Sequence, residues 1–298
     1  MKKLSNNSGQ ALLIVLLSMA VILTLVLSVL SSSITDIAVT SREEESLRAF
    51  SAAEAGVEQA LIAGQTGTVT LDKSSFTTLV TSIGKDKVEF NYPQELLSGD
   101  TGVIWFIAHN DSNGNLICNS PDKECFKGQT LQLCWGNPAS SANQSDTPAM
   151  EASVFYLSTA GSYKDAEIAR YTADPNSIRT AAGADSNNFT PAQATECTID
   201  GKKYAFQTTL DFSNIPTTDE NEGLLFMIVK SFYNTSFAHS FGVNVDYPDN
   251  TQLPSQGRKI VSVGTAGEAT RKVEVNTLYR AMPAVFTNAI FALGGITK

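Results

Sequence analysis

Residues 11–30 are apolar at every position except the small hydroxyl residues Ser18, Thr24 and Ser28, and no charge falls between Lys3 and Asp36. Twenty residues at ~1.5 Å each cover ~30 Å, the thickness of a bilayer hydrocarbon core. This run predicts a membrane-crossing helix, and it is too long for the apolar core of a secretory signal peptide. Beyond Ser33 the pattern becomes amphipathic. Leu47, Phe50, Ala53, Val57 and Leu61 recur at steps of three and four, while Arg42, Glu43, Glu45 and Glu58 mostly take other faces. No breaker separates the two segments: the next glycine after Gly9 is Gly56, and the first proline is Pro93. One helix is therefore expected over 10–64, ~80 Å long, with 10–30 in lipid and its outer half half-covered by a globular domain. Gly64 and Gly67 flank its stop. A plain single-pass anchor followed by a stalk fits the same periodicity.

After Gly67 the chain turns to short runs rich in β-formers, broken by turn residues. Strands are expected over 103–109, 130–135, 151–159, 204–212 and 224–232. A terminal hairpin is expected from 258–263 and 271–279, which flank Gly264 and Gly267. In its second arm Val273, Val275, Thr277 and Tyr279 alternate with Lys272, Glu274 and Asn276. The polar stretches 137–148 and 174–196 are too long for tight turns and predict loops, the second with room for a short helix. Such loops are where binding sites often sit, or they are simply solvated. The 65–298 portion reads as one β-rich domain, which makes the fold class α+β.

Net charge is -9 over 298 residues, with the basic residues scattered, so there is no footprint for a phosphate backbone and nucleic acid is not an expected partner. Lys2 and Lys3 precede the apolar run while Asp36 and Glu43-Glu44-Glu45 follow it, which predicts the short N-terminus in the cytoplasm and the remainder outside. All four cysteines lie in that outward part, where disulfides persist. Three pairings are possible. The sequence-local choice joins Cys118 to Cys125 and leaves Cys134 for Cys197; free buried thiols are the alternative.

Candidate chemistry is sparse. Asp111, Asn113 and Asn115, with Asp122 beyond them, space oxygen ligands as a calcium loop does, but the glycine comes at the fourth position, as Gly114, and Asn-Gly is a hairpin-turn signal. A turn is the favoured reading. Zinc is disfavoured because no Cys-x-x-Cys occurs and only His109 and His239 could assist. Neither histidine neighbours a nucleophile motif, and there is no phosphate-binding Gly-rich loop followed by Lys-Ser/Thr. No catalytic residue, metal or cofactor is expected, and the chain does not read as an enzyme.

The leader MKKLSNNSG, the immediate apolar stretch and SREEESLRAFSAAEAGVEQAL together resemble the N-terminal region of type IV pilin-like proteins, most closely minor pilins of the PilX type and the tip pseudopilin of type II secretion. The segment SVGTAGEATRKVEV resembles the C-terminal hairpin of the same minor pilins. The resemblance implies a pilin-like fold and a leader, 1–9, cut after Gly9 by a prepilin peptidase, which makes Gln10 the new N-terminus. It also implies other pilins and a membrane assembly platform as partners, with passage from the membrane into a cell-surface filament. Two positions depart from the family. Major pilins carry Phe or Met after the glycine and Glu as the fifth mature residue; here those places hold Gln10 and Ile14. A buried terminal ammonium needs a counter-charge in a low-dielectric bundle, and Ile14 cannot supply it. A minor or tip-proximal subunit is thus expected, with a singly anchored surface binding protein as the alternative.

Overall fold

The structure is a computed structural model that describes residues 8–110, 114–118, 125–158, 166–217, 223–245 and 252–280, with side-chain surroundings in the first helix from residue 12 onward. Helix α1 (Ser8–Ala63) is unbroken for 56 residues, about 84 Å at helical rise. It ends where Gly64 takes φ +65° and its N–H donates to the Ala60 carbonyl at 2.8 Å, a left-handed cap that glycine adopts without steric cost. Within the apolar run the hydroxyls turn back on the helix. Ser18 donates to the Val15 carbonyl at 2.9 Å and Thr24 to Val21 at 2.8 Å, so neither presents an unsatisfied polar group.

The strands come in chain order as β1 (Gly67–Thr70), β2 (Ser75–Ile83), β3 (Glu89–Asn91), β4 (Thr101–Trp105), β5 (Ala108–His109), β6 (Leu116–Ile117), β7 (Thr130–Trp135), β8 (Ala149–Leu157) and β9 (Ala166–Asp174). The short helix α2 (Ser177–Thr180) is next. After it come β10 (Thr190–Pro191), β11 (Cys197–Ile199), β12 (Lys202–Tyr204), β13 (Phe206–Asp211), β14 (Leu224–Phe232), β15 (Phe241–Asn244), β16 (Gly257–Ala266) and β17 (Ala269–Leu278). The expected strands 130–135 and 224–232 appear with those bounds. The expected 103–109 divides into β4 and β5, and 204–212 divides at Ala205 into β12 and β13. The terminal hairpin forms as β16 and β17.

The chain divides into two compact units, Met1–Val80 with Ile260–Val275 and Thr81–Lys259 with Asn276–Lys298. In the first unit the sheet runs in the order β1-β2-β16-β17, and Val57 and Ala60 of α1 pack with Ile260, Val80, Val273 and Val275. Val273 and Val275 are half-buried while Lys272 and Glu274 are exposed, as the alternation predicts.

The second unit holds a five-stranded sheet, β10-β9-β8-β14-β4, and a four-stranded sheet, β13-β7-β15-β3. Pairing is antiparallel throughout except for β10 on β9. Inward residues of the first (Ile104, Val154, Met227) and of the second (Leu133, Trp135, Phe241) join one core. Period-two alternation explains the choice of faces.

Candidate functional site

The feature that distinguishes this chain is α1, which has two kinds of surface. Its inner segment is bare: Ile14 is 65% exposed, and the large apolar residues around it are similarly open. This apolar portion is long enough to cross a membrane. Gly9 and Gln10 belong to the helical backbone, with side-chain surroundings outside the described residues.

The outer part of α1 corrects the expected stripe. Leu47, Phe50 and Leu61 are exposed, while Ala53 and Val57 of that stripe are buried together with Ala49, Ala52, Gly56 and Ala60. The buried line is rotated by about 90° from the predicted one. Close approach explains the rotation. A side-chain carbon placed on Gly264 of β16 would collide with the Ala49 carbonyl oxygen and stand 2.5 Å from the Ala53 nitrogen. One placed on Gly56 would strike the Ser262 hydroxyl and stand 2.7 Å from the Phe76 ring. Backbone and sheet meet so closely that only small residues fit between them, and the larger apolar side chains are left facing outward.

Polar contacts fasten the same seam. The Glu45 carboxylate accepts from the Glu268 N–H at 3.2 Å, and Arg271 donates to the Ser46 hydroxyl from Nε at 2.9 Å and Nη2 at 2.6 Å. Outside the seam, Glu44 and Arg48 pair one turn apart on an exposed face.

In the second unit the cysteines are joined as Cys118–Cys125 and Cys134–Cys197. The second bridge ties the β11–β12 hairpin to β7, and the first joins the residue after β6 to Cys125, seven residues on. Cys134 and Cys197 cluster with Ile199 and Tyr204 of the β11–β12 hairpin. Cys125 lies with Ile107, Ala108, Leu157 and Leu225, beside the β5–β6 hairpin.

The two polar stretches are knit together rather than solvated separately. The Asp174 side chain is fully buried and accepts from Arg179 Nε at 2.9 Å and Nη2 at 2.8 Å, from the Asn176 N–H at 2.8 Å and from Asn187 Nδ2 at 2.8 Å. Arg179 also donates to the Thr147 carbonyl at 2.7 Å and lies 3.9 Å from the Tyr233 ring centroid. Asn176 caps α2. Composition placed Asp174 at the start of a solvated loop. Its burial depends on the partner five residues on, and an Asp to Arg step of five is a weak signal in sequence.

Both histidines are buried. His239 accepts from the Asn137 N–H at Nδ1, 3.1 Å away, and burial pushes its pKa down against the opposing pull of Glu95 and Asp146. His109 is stacked on Tyr279 with ring centroids 4.0 Å apart and meets Trp105 edge-on at 4.4 Å. A cleft lined by Phe126, Lys127, Gln129, Phe212, Thr217 and Leu224 presents Lys127 as its charged group among the described residues. No group of three His, Cys, Asp or Glu side chains converges among the described residues. Asp111, Asn113 and Asp122, whose spacing was weighed against a calcium loop, lie outside them. No protein-family model, curated protein or solved structure matches this chain.

Proposed function

We propose that this protein is a structural subunit of a type IV pilus or a related pseudopilus, in a minor or tip-proximal position, matured by a prepilin peptidase that cuts after Gly9. The observation that carries the reading is the unbroken helix, which passes from a bare apolar segment to a close-packed seam without a joint. A tether for an independent surface domain gains nothing from rigidity across its exit from the membrane. A filament subunit does, because pulling on the headpiece must withdraw the apolar segment from lipid into a bundle of like helices. That transfer exchanges lipid contacts for protein contacts and needs an assembly platform and a separate motor. The resemblance of the leader, the apolar run and the segment 262–275 to minor pilins supports the same role. In this reading the partners are other pilins, met through α1, together with the peptidase and the platform. The protein moves from a single-pass membrane form with its C-terminal part outside to a cell-surface filament, and no catalysis is assigned to it.

Ile14 supports the tip-proximal position, since a repeating shaft subunit must offer a carboxylate to its neighbour's ammonium and this chain offers a hydrocarbon. The test is N-terminal sequencing after co-expression with a prepilin peptidase. A product beginning at Gln10 is expected for the natural chain, and an uncut product when Gly9 is replaced by a bulky residue. A chain that still begins at Met1 or Lys2 would refute the maturation and leave an anchored surface protein. Ile14→Glu should enter shaft positions more readily, and equal incorporation of both forms would contradict the tip assignment.

A further inference from the structure

Four loops meet at one end of the second unit. Residues 92–100 pass from β3 to β4, 136–148 from β7 to β8 and 233–240 from β14 to β15, while 175–189 follow β9, and the strand registers set these ends side by side. All four loops are described in full, and no internal segment outside the described residues attaches at this end. Four large apolar side chains are exposed among the described residues of this unit, and three of them stand on these loops: Leu97 at 43%, Ile178 at 72% and Phe237 at 69%.

The loops hold these side chains in fixed places. Leu96 and His239 exchange backbone hydrogen bonds of 2.8 and 2.9 Å, and the Asn234 amide donates to the Leu96 carbonyl at 2.7 Å and to the Phe237 carbonyl at 3.2 Å. Leu97 and Phe237 thus flank one buried amide. The Ser98 hydroxyl accepts from the Tyr233 N–H at 3.1 Å, and the Tyr233 ring lies under Arg179, the residue after Ile178. Two costly features support the arrangement. Tyr233 takes φ +72°, a left-handed conformation that a bulky side chain rarely adopts, and the Asp174–Arg179 pair that seats α2 has a fully buried carboxylate. Backbone strain and a desolvated ion pair beside exposed apolar groups mark a surface preorganised for a partner, because rigidity lowers the ordering cost of binding.

Charge indicates the kind of partner. The four loops carry Glu95, Asp100, Asp146 and Asp185 and no lysine. Their one arginine, Arg179, is committed to Asp174 and the Tyr233 ring. An acidic rim disfavours anionic lipid and nucleic acid, and it disfavours a second copy of a chain whose net charge is -9. We propose that this end of the second unit docks a basic protein partner, one that presents lysine or arginine side chains around an apolar centre, with Ile178 and Phe237 as the anchors. The surface lies wholly within the second unit and stands independently of the filament reading.

The test pans a display library of random peptides against the full chain in nanodiscs of zwitterionic lipid, with binding of the recovered peptides measured by fluorescence anisotropy. Peptides rich in lysine or arginine and carrying large apolar residues are expected. Ile178→Ser with Phe237→Ser should weaken them by about tenfold or more, as loss of two anchors does, with matching melting curves to show that the loops still fold. Glu95→Lys with Asp185→Lys keeps both anchors and should weaken the same peptides by about tenfold or more, and added salt should weaken them further. Ile168→Ser, at the other exposed apolar position, should leave binding unchanged. Recovery of no peptides, or of neutral or acidic ones, would overturn the proposal, as would peptides that bind both double variants as well as the natural chain. Phosphatidylglycerol vesicle binding or self-association that is lost in Ile178→Ser with Phe237→Ser would also overturn it, in favour of a membrane or a second copy.

Discussion

Gly264→Ala tests the seam between α1 and the terminal hairpin with a single methyl group. The added carbon would stand 2.5 Å from the Ala53 nitrogen and closer still to the Ala49 carbonyl oxygen, and both atoms are backbone. Ordinary contact needs about 3.5 Å, so the helix must withdraw by roughly 1 Å. A gap of that size forfeits a quarter to a half of the dispersion energy of each pair across it, and the pairs belong to the fully buried Ala49, Ala52 and Ala53. The cost should lie at about 1–3 kcal/mol, the usual range for overpacking. Hydrogen exchange at the amides of residues 49–60, measured on the full chain in nanodiscs, should accelerate by about 5- to 150-fold. Gly67→Ala is the matched control, because a carbon there meets nothing within 4 Å, and it should stay within about 0.5 kcal/mol of the natural chain. Exchange no faster in Gly264→Ala than in Gly67→Ala would refute the close-approach account of which helix face is buried.

The second unit offers three further tests. Arg179→Met leaves the Asp174 carboxylate buried with two of its four donor contacts, so it should cost about 3–5 kcal/mol in denaturant unfolding, and adding Asp174→Asn should recover part of the loss; a loss under about 1 kcal/mol would mark an ordinary surface pair. Replacing both Cys134 and Cys197 by Ala opens a loop of 63 residues against 7 for Cys118 and Cys125, so chain entropy predicts losses of about 4 and 2 kcal/mol respectively, with cystine-peptide mapping to verify the pairing. The pKa of His239 is lowered by burial from the usual value near 6.5, so its contribution to stability is complete above that value and is lost as pH falls through the lower folded one; His239→Gln should flatten the decline in unfolding free energy between pH 7 and pH 5, and parallel curves would refute the assignment.

The sequence alone was sufficient for the elements whose signals are local. An uncharged run of membrane length joined to an amphipathic segment without a breaker predicts one long helix, and α1 is continuous. Alternating Val273 and Val275 beside a glycine turn announce the hairpin, and two cysteines seven residues apart suggest their own bridge. The terminus of α1 at Gly64 was legible for the same reason, since the cap is made by the residue that marks it.

Which face of α1 is buried was legible only in part, through Ala53 and Val57. Periodicity measures apolar area along one element, and by that measure Leu47, Phe50 and Leu61 outrank four alanines and a glycine. The tertiary structure chose the small residues because Gly264, far along the chain, lets two backbones approach. The same holds for the carboxylate of Glu45, whose partner at Glu268 is 223 residues away, and for Asp174, whose burial requires Arg179 and the 137–148 stretch to assemble around it. Composition counts polar residues as solvated because it cannot see the donors that make burial tolerable. Distance of approach and the satisfaction of buried charge are properties of pairs brought together by folding, so no single stretch of sequence carries them.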